Sequence, residues 1–422
     1  MPATLRGMRA VRVFVCFALC YLLSYALRSI NAVIAPSLLA EFGMSNADLG
    51  LLSSAYFVAF GCMQLPLGIW LDKYGARRTE AVLLVFAAAG AAVFATSTSL
   101  TGLWVGRALI GIGVSACLMA ALKAYRQWFA LEQQAQLASW MLVSGTAGAL
   151  TATLPVTLAL PLICWRGVFW VIAAMLLLLA GAIFLMLRDV EASFAHTGPL
   201  AVSGSKDGGY RSVFGNRYFW RMGALGLVNH GIFFALQTLW AGPWMMTVLG
   251  KTQQQTAQIL FALNLMLLLS YLALGWSAPR LLARGWNVHR LIAIGIAGML
   301  LAQCAMLLTT APWAWMLWLP LVLCVPVTTL VQSNVGMAFP PALAGRANSA
   351  YNLQLFIGAF ATQWGFGLLI DALKGQGFSA VDAFRVALGS ALALQAIALA
   401  YFVYSAAVPG ETRQDGFARG TR

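Results

Sequence analysis

Charged side chains are scarce in this sequence. Asp, Glu, Lys and Arg make up 9% of the 422 residues, and only 12 of these side chains are acidic. A water-soluble domain of this length needs many more charges to cover its surface, because soluble chains carry about 25% of these residues. The composition therefore excludes an ordinary soluble protein.

Histidine and clustered cysteine are also lacking. The chain has 3 His and 7 Cys, with no C-x-x-C pair and no Cys/His cluster. Zinc sites and disulfide frameworks need such clusters, so neither is expected. An embedded hydrolase would need His, Asp or Ser clustered in a polar loop, and no phosphate-binding loop for ATP is found. The sequence predicts no metal, no cofactor and no enzyme.

What the chain does contain is long apolar segments. Hydrophobic residues make up 61% of it, and the mean hydropathy is +0.82. A bilayer core of about 30 Å is crossed by about 20 such residues in a helix. Twelve segments of this length are found, near residues 12–36, 47–70, 80–99, 100–122, 137–160, 167–187, 220–247, 255–277, 289–310, 312–338, 350–372 and 381–407. The prediction is an all-α integral membrane protein with twelve transmembrane helices.

The positions of Lys and Arg predict the orientation. With twelve spans, 20 of the 26 Lys and Arg fall in segments on one side and four on the other, which places both termini in the cytoplasm. The same bias explains the net charge of +14 without invoking nucleic acid. Short loops favour a bacterial inner (plasma) membrane.

A Gly- and Ser-rich polar segment divides the spans six to six. The predicted domains are an N-terminal six-helix bundle (1–187), a cytoplasmic linker with an amphipathic segment (188–219), a C-terminal six-helix bundle (220–407) and a cytoplasmic tail (408–422). A flexible linker between two equal bundles is typical of a transporter with parallel repeats.

One loop motif stands out, between the second and third spans. Its members are Gly68, Asp72, Lys73, Gly75, Arg77 and Arg78. The spacing resembles the signature G-x-x-x-D-[RK]-x-G-x-[RK]-[RK] of the major facilitator superfamily. The resemblance implies two six-helix bundles that move about a central site, with this charge cluster acting as a gate on the cytoplasmic side. The second half carries a degenerate copy with Pro279 at the position of Asp72.

Two arginines lie inside predicted spans. Arg107, followed by Gly111 and Gly113, resembles a second motif of this superfamily, and Arg28 followed by Asn31 is similar to the first helix of its anion:cation symporter branch, here with the spacing R-x-x-N. An Arg within a helix costs about 2.5–3.5 kcal/mol on insertion scales, so each is expected to face a cavity or a partner. Each is interpreted as an anion-binding or a structural group.

The remaining polar residues within the spans complete the predicted substrate site. Tyr25, His230, Gln237 and Gln354 are assigned to it with Arg28, Asn31 and Arg107, and Asn264 and Asn352 are further candidates. His230 is either a carrier of a coupling proton or a histidine bonded within the bundle. No acidic residue lies in the middle of a predicted span. Asp48 and Glu80 are placed at span ends, as capping or gate residues.

The sequence thus predicts a secondary active transporter that works by alternating access. The expected cargo is a small organic anion, taken up with protons. An exporter or exchanger of a neutral or zwitterionic solute is the first alternative, and a transporter-like membrane sensor without flux is an alternative of another class.

Overall fold

The computed structural model describes residue 5 and residues 7–194, 210–339 and 341–405. Every regular element in these ranges is helical. Helices are expected here, because lipid offers no partner to an unpaired backbone N–H or C=O and a helix satisfies both within one segment.

The helices of the N-terminal half are α1 (Gly7–Ser29), α2 (Asn31–Phe42), α3 (Asn46–Thr96), α4 (Leu100–Gly113), α5 (Cys117–Trp128), α6 (Leu131–Thr151), α7 (Leu154–Met186) and α8 (Arg188–Phe194). Those that follow are α9 (Tyr210–Phe214), α10 (Arg217–Ala235), α11 (Ala241–Thr247), α12 (Gln253–Ala283), α13 (Val288–Leu308), α14 (Trp318–Cys324), α15 (Val327–Ala338), α16 (Pro341–Gly375) and α17 (Ala380–Tyr404). A π-helical turn, Leu236–Trp240, joins α10 to α11, and a 3₁₀ turn, Ala314–Leu317, precedes α14.

Ten helical stretches in the described ranges are long and apolar enough to cross a membrane. The all-α membrane fold is thereby confirmed. In this total α3 counts once although Gly75, with φ of 79°, divides it into two arms, and α6 is not included. Twelve crossings and cytoplasmic termini stay predictions.

Several predicted segment boundaries differ from the structure, and two of them bear on the division into domains. The predicted span 137–160 is divided, because α6 ends at Thr151 and α7 begins at Leu154. The predicted linker 188–219 contains α8 and α9, while residues 195–209 of the linker and the predicted tail 408–422 lie outside the described residues. The division into domains stays a prediction.

The two halves start their second long helix in the same way. The Ser45 hydroxyl accepts from the N–H of Asp48 at the start of α3, and the Asp48 carboxylate accepts from the N–H of Ser45. Thr252 and Gln255 repeat this capping box at the start of α12. Each box pairs two N–H groups that a helix start leaves without partners. The repetition is consistent with two halves of one architecture.

The halves meet along α3 and α16 at the end of the molecule where α3 begins. A Cβ on Gly50 would lie 2.6 Å from the carbonyl oxygen of Gln363, so only glycine permits this approach. Further along, Phe57 stacks on Phe234 with ring centroids 6.0 Å apart, and Phe60 lies 4.5 Å from Phe356.

Towards Asp72 the two helices diverge. Among the described residues, no atom lies within 4 Å of the position that a Cβ on Gly68 would occupy. The halves are therefore closed together at the Asp48 end and separated at the Asp72 end.

Candidate substrate cavity

A cavity of about 440 Å³ lies between the halves. This is within the usual size of a pocket for a small molecule. Both halves line it, and the polar and aromatic lining residues include Tyr21, Tyr25, Arg28, Phe60, Gln64, Arg126, His230, Phe234, Gln237, Gln332, Asn348, Asn352 and Phe356. The cavity extends towards the Asp72 end. Arg126 lines it and is one helical turn from Lys123, the partner of Asp72. Asn348, near the start of α16, lines it as well.

Arg28 stands at the aromatic part of this cavity. It is in the last turn of α1 and is buried. Its guanidinium carbon lies 4.6 Å from the ring centroid of Tyr25, 5.3 Å from that of Phe60 and 5.4 Å from that of Phe234. Aromatic faces stabilise a cation but do not neutralise it. Arg28 forms no ion pair with a carboxylate in the described part of the chain, so its charge is available to a ligand.

The cavity is positively charged. Arg28 and Arg126 are among its lining residues, and no Asp or Glu of the described residues lines it. A cleft of one sign with low-dielectric walls concentrates ions of the opposite sign. The electrostatics therefore favour an anion and disfavour a cation.

The C-terminal half supplies neutral polar groups. A ring nitrogen of His230, Nδ1, lies 3.1 Å from the hydroxyl of Thr328, and the amide of Gln237 donates to the side-chain oxygen of Asn264 at 3.0 Å. His230 and Gln237 line the cavity, and Thr328 and Asn264 hold them from behind. Fixed amide and imidazole groups are suited to hydrogen bonding with hydroxyl or carboxylate oxygens.

The structure brings together four of the seven residues assigned to the substrate site: Tyr25, Arg28, His230 and Gln237 all line the cavity. Asn31, Arg107 and Gln354 do not. Asn31 donates to the hydroxyl of Ser53 at 2.6 Å, and Gln354 packs against Gly223.

Arg107 lies behind the cavity wall. It is completely buried, and its guanidinium donates to the carbonyl of Leu27 at 2.9 Å. The guanidinium carbon also lies 4.7 Å from the ring centroid of Phe94 and 5.2 Å from that of Phe169. These contacts tie α4 to the turn of α1 that carries Arg28.

Sequence reasoning missed several residues that line the cavity. Arg126 was counted as a loop cation, because the apolar segment near it ends at 122, whereas α5 continues to Trp128. Gln64 and Gln332 gave no signal beyond being polar residues within apolar spans. The helical extension of Lys123–Trp128, which has an apolar and aromatic face, would have been the signal for Arg126.

The predicted gate residues form contacts within the N-terminal half. Asp72 pairs with Lys123 at 2.5 Å, and Arg77 pairs with Glu191 at 2.5 Å and donates to the carbonyl of Phe184 at 2.6 Å. Gly75 supplies the positive φ, and a Cβ there would also come within 2.9 Å of Glu191.

The last two members of the motif are Lys73 and Arg78. Lys73 lies over the ring of Tyr74, with its ammonium 5.2 Å from the ring centroid, and Arg78 is exposed. None of the contacts given for Asp72, Lys73 or Arg77 reaches the C-terminal half. Their role as a gate stays a prediction.

The comparisons with known proteins identify the family. The model of the Major Facilitator Superfamily matches residues 17–363, which is most of the chain. The chain therefore belongs to the Major Facilitator Superfamily, as the loop motif predicted.

Several of the relatives of known name are transporters of sugar acids. The chain is 28% identical over 214 residues to the hexuronate transporter of Escherichia coli (strain K12), covering 47% of this chain and 49% of the relative. It is 26% identical over 213 residues to the probable L-galactonate transporter of the same organism, covering 47% and 46%. The alignments thus span about half the length of these relatives.

Solved structures confirm the fold over nearly the whole chain. A bacterial homolog of the human lysosomal transporter Spinster, in an inward-facing and occupied conformation, superposes with a TM-score of 0.79 at 17% identity, covering 95% of this chain and 97% of that one. A D-xylose–proton symporter superposes with a TM-score of 0.73 at 14% identity, covering 93% and 97%. These likenesses concern architecture alone.

Proposed function

We propose that this chain is a secondary active transporter that takes up a small organic anion together with protons by alternating access. The observation that carries the proposal is the uncompensated charge of Arg28 in a cavity without carboxylates between the two halves. The sugar-acid substrates of the named relatives support the anionic class. A sugar monoacid combines one carboxylate with several hydroxyls, which suits a cavity lined by arginine and by neutral amide side chains.

Each group then has a task. The guanidinium of Arg28 holds the carboxylate through charge-assisted hydrogen bonds. The ring of Tyr25 orients that guanidinium from the side of α1. His230 and Gln237 bond to hydroxyl groups from the C-terminal half, so that a bound anion touches both halves. A ligand that bridges the halves stabilises the closed arrangement through which alternating access passes.

The described conformation corresponds to one end of this cycle. The halves are in contact at the Asp48 end and separated at the Asp72 end. With the orientation that the Lys and Arg distribution predicts, the cavity then opens to the cytoplasm, in a bacterial inner membrane.

The test is counterflow in proteoliposomes that contain the purified protein. Labelled hexuronate and galactonate are supplied outside, and the same compounds or neutral sugars inside. Arg28→Ala should bind the anion roughly 10- to 100-fold more weakly, because a hydrogen bond to a charged group contributes about 1.5–3 kcal/mol. Arg290→Ala, at an exposed helical position, is the matched control.

Three results would overturn the proposal. Uptake of anions that is unchanged in Arg28→Ala would remove Arg28 from the site. Exchange of neutral sugars that ignores substrate charge would instead support a transporter of neutral solutes, and saturable binding without any flux would support a sensor.

A further inference from the structure

Glu80 is a buried carboxylic acid that the proposed substrate site does not use. It lies in the second arm of α3, four residues after Ala76, and is fully buried. Among the Asp and Glu side chains that the structure describes, no other is buried. The sequence placed it at the end of a span, but the arm begins a full turn earlier, so Glu80 lies within the packed bundle.

Its carboxylate has no partner among the described residues. Neither oxygen accepts or donates a hydrogen bond, and no ion pair includes Glu80. The titratable groups that face it are the thiols of Cys20 on α1 and Cys117 on α5. A thiol is only a weak hydrogen-bond donor.

Three of the cations on α1, α3 and α5 are held in ion pairs, while Arg28 and Arg126 line the cavity. The three pairs are Arg12 with Asp189, Arg77 with Glu191, and Lys123 with Asp72. Burying an ionised carboxylate without a counter-charge costs several kcal/mol even after relaxation, whereas the neutral acid costs far less. The neutral acid is therefore the form that this position accommodates.

Glu80 faces two residues whose neighbours in sequence line the cavity. Cys20 and Cys117, which face it, directly precede Tyr21 and Leu118, and both of these line the cavity. The helix that carries Cys117 is interrupted just before this residue, because α4 ends at Gly113 and α5 begins at Cys117. The intervening Ser115, whose hydroxyl donates to the carbonyl of Ile112 at 2.7 Å, lines the cavity as well.

We propose that Glu80 is a proton-binding site of the transport cycle. The inference rests on the proposed proton-coupled uptake and assigns the proton to a position apart from the anion. In the described conformation Glu80 carries the proton as a neutral acid. While the cavity faces the cytoplasm, water reaches Glu80 past Ser115, the O–H bond breaks, and the proton passes to that water as the carboxylate forms. After the halves rearrange, binding of a proton from the other side of the membrane restores the acid.

His230 is the competing candidate, and its position argues against it. It lines the same cavity as Arg28 and Arg126, and no carboxylate lines that cavity. A protonated imidazole there would add a third positive charge without a counter-ion. Glu80 has the opposite property, because protonation removes its charge.

The first experiment separates exchange from coupling. Wild type, Glu80→Gln and His230→Gln are reconstituted, with Asp382→Asn as a matched control that removes an exposed carboxylate. Counterflow of labelled hexuronate needs no net proton movement, whereas accumulation driven by a pH gradient does. Glu80→Gln should keep counterflow and lose both accumulation and substrate-induced proton flux. Asp382→Asn should keep counterflow, accumulation and proton flux. His230→Gln should transport less anion, because it loses a contact to the ligand, but its ratio of protons to transported anions should equal that of the wild type.

Accumulation by Glu80→Gln that equals wild type would overturn the assignment while leaving anion transport in place. Loss of coupling in His230→Gln alone would move the proton site to the imidazole. Transport by the wild type without any proton flux would also overturn it.

A second measurement does not depend on transport. Infrared spectra of the purified full-length protein are recorded in H₂O and D₂O across a pH series. The wild type should show the C=O band of a protonated carboxyl group that Glu80→Gln lacks and Asp382→Asn retains. Identical wild-type and Glu80→Gln spectra would overturn the proposal. If this band is present but no anion is transported, the proposed function fails and the proton site stands.

Discussion

The carboxylate of Asp371, near the end of α16, accepts a hydrogen bond of 2.6 Å from the backbone N–H of Ala47, at the start of α3. The side-chain amide and the N–H of Asn46 donate to the same carboxylate, at 2.7 and 3.3 Å. A carboxylate of one half thus caps a helix of the other, where unpaired N–H groups and the helix dipole favour negative charge. This contact stabilises the conformation that is closed at the Asp48 end.

Asp371→Ala should therefore shift the population towards conformations that are open at the Asp48 end, roughly tenfold or more, because hydrogen bonds to a charged group contribute about 1.5–3 kcal/mol. Spin labels on Thr98→Cys and Gln376→Cys, in a background without other cysteines, report the separation of the halves at this end. A broader or longer distance distribution than in the unsubstituted pair is expected. An unchanged distribution would mean that the glycine contacts near Gly50 suffice.

Gly68→Leu tests whether the two halves come into contact at the Asp72 end during transport. No atom lies near Gly68 in the described conformation, so the side chain is accommodated and thermal stability should not fall. If the halves close here in the opposite conformation, a leucine would keep them apart. Transport should then be lost while equilibrium binding of the anion remains. Gly181→Leu is a matched control, since a Cβ there also meets nothing within 4 Å. Normal transport by Gly68→Leu would exclude close contact at this position.

Arg107 and Arg28 should respond differently to replacement by Met. Arg107 reaches the cavity only through the carbonyl of Leu27. Arg107→Met removes that bond and relieves the burial of an unpaired charge, effects of opposite sign on stability. We expect anion affinity, measured by isothermal titration, to fall less than in Arg28→Met, with little change in melting temperature. Equal losses of affinity in two folded variants would place Arg107 in contact with the ligand.

Two ion pairs near the loop motif should differ in their effect on stability. Arg77 is 6% exposed and also donates to the carbonyl of Phe184, whereas Asp72 is 84% exposed. Exposed pairs contribute about 0–1 kcal/mol, but removal of one member of a buried pair costs about 3–5 kcal/mol. Because Glu191 is itself 29% exposed, the lower part of that range is expected for Arg77→Ala. Thermal unfolding in detergent should rank Arg77→Ala well below Lys123→Ala. Equal melting temperatures of the two variants would show that the buried pair of Arg77 stabilises the fold no more than the exposed pair of Lys123.

The fold could be predicted from the sequence because the bilayer imposes a length on every apolar segment. Each of the twelve predicted segments overlaps a helix, and Gly75 of the loop motif has a positive φ between two of them. The division of α7 at Cys164, with φ of 49°, falls in the gap between the predicted segments 137–160 and 167–187, whereas the end of α6 at Thr151 lies inside an apolar segment and could not be predicted.

The candidate site was predictable only in part. Helical rise gives the depth of a residue in the membrane but not the direction that its side chain takes. Arg28 and Arg107 have similar depths, yet one lines the cavity and the other lies behind its wall. Glu80 was interpreted as a helix-end residue because the preceding motif is polar, whereas the packing of α1 and α5 over the second arm of α3 buries it.

The aromatic contact between the halves has a consequence for how they move. Phe57 and Phe60 of one half face Phe234 and Phe356 of the other, in stacked or tilted pairs with centroids 4.5 to 6.2 Å apart. Ring contacts are not directional in the way hydrogen bonds are, so rings can slide over one another at little cost. These phenylalanines form an apolar contact that lets the two halves move relative to each other without breaking hydrogen bonds. Three of them also surround Arg28. A ligand that neutralises this arginine therefore changes the charge at the contact about which the two halves move.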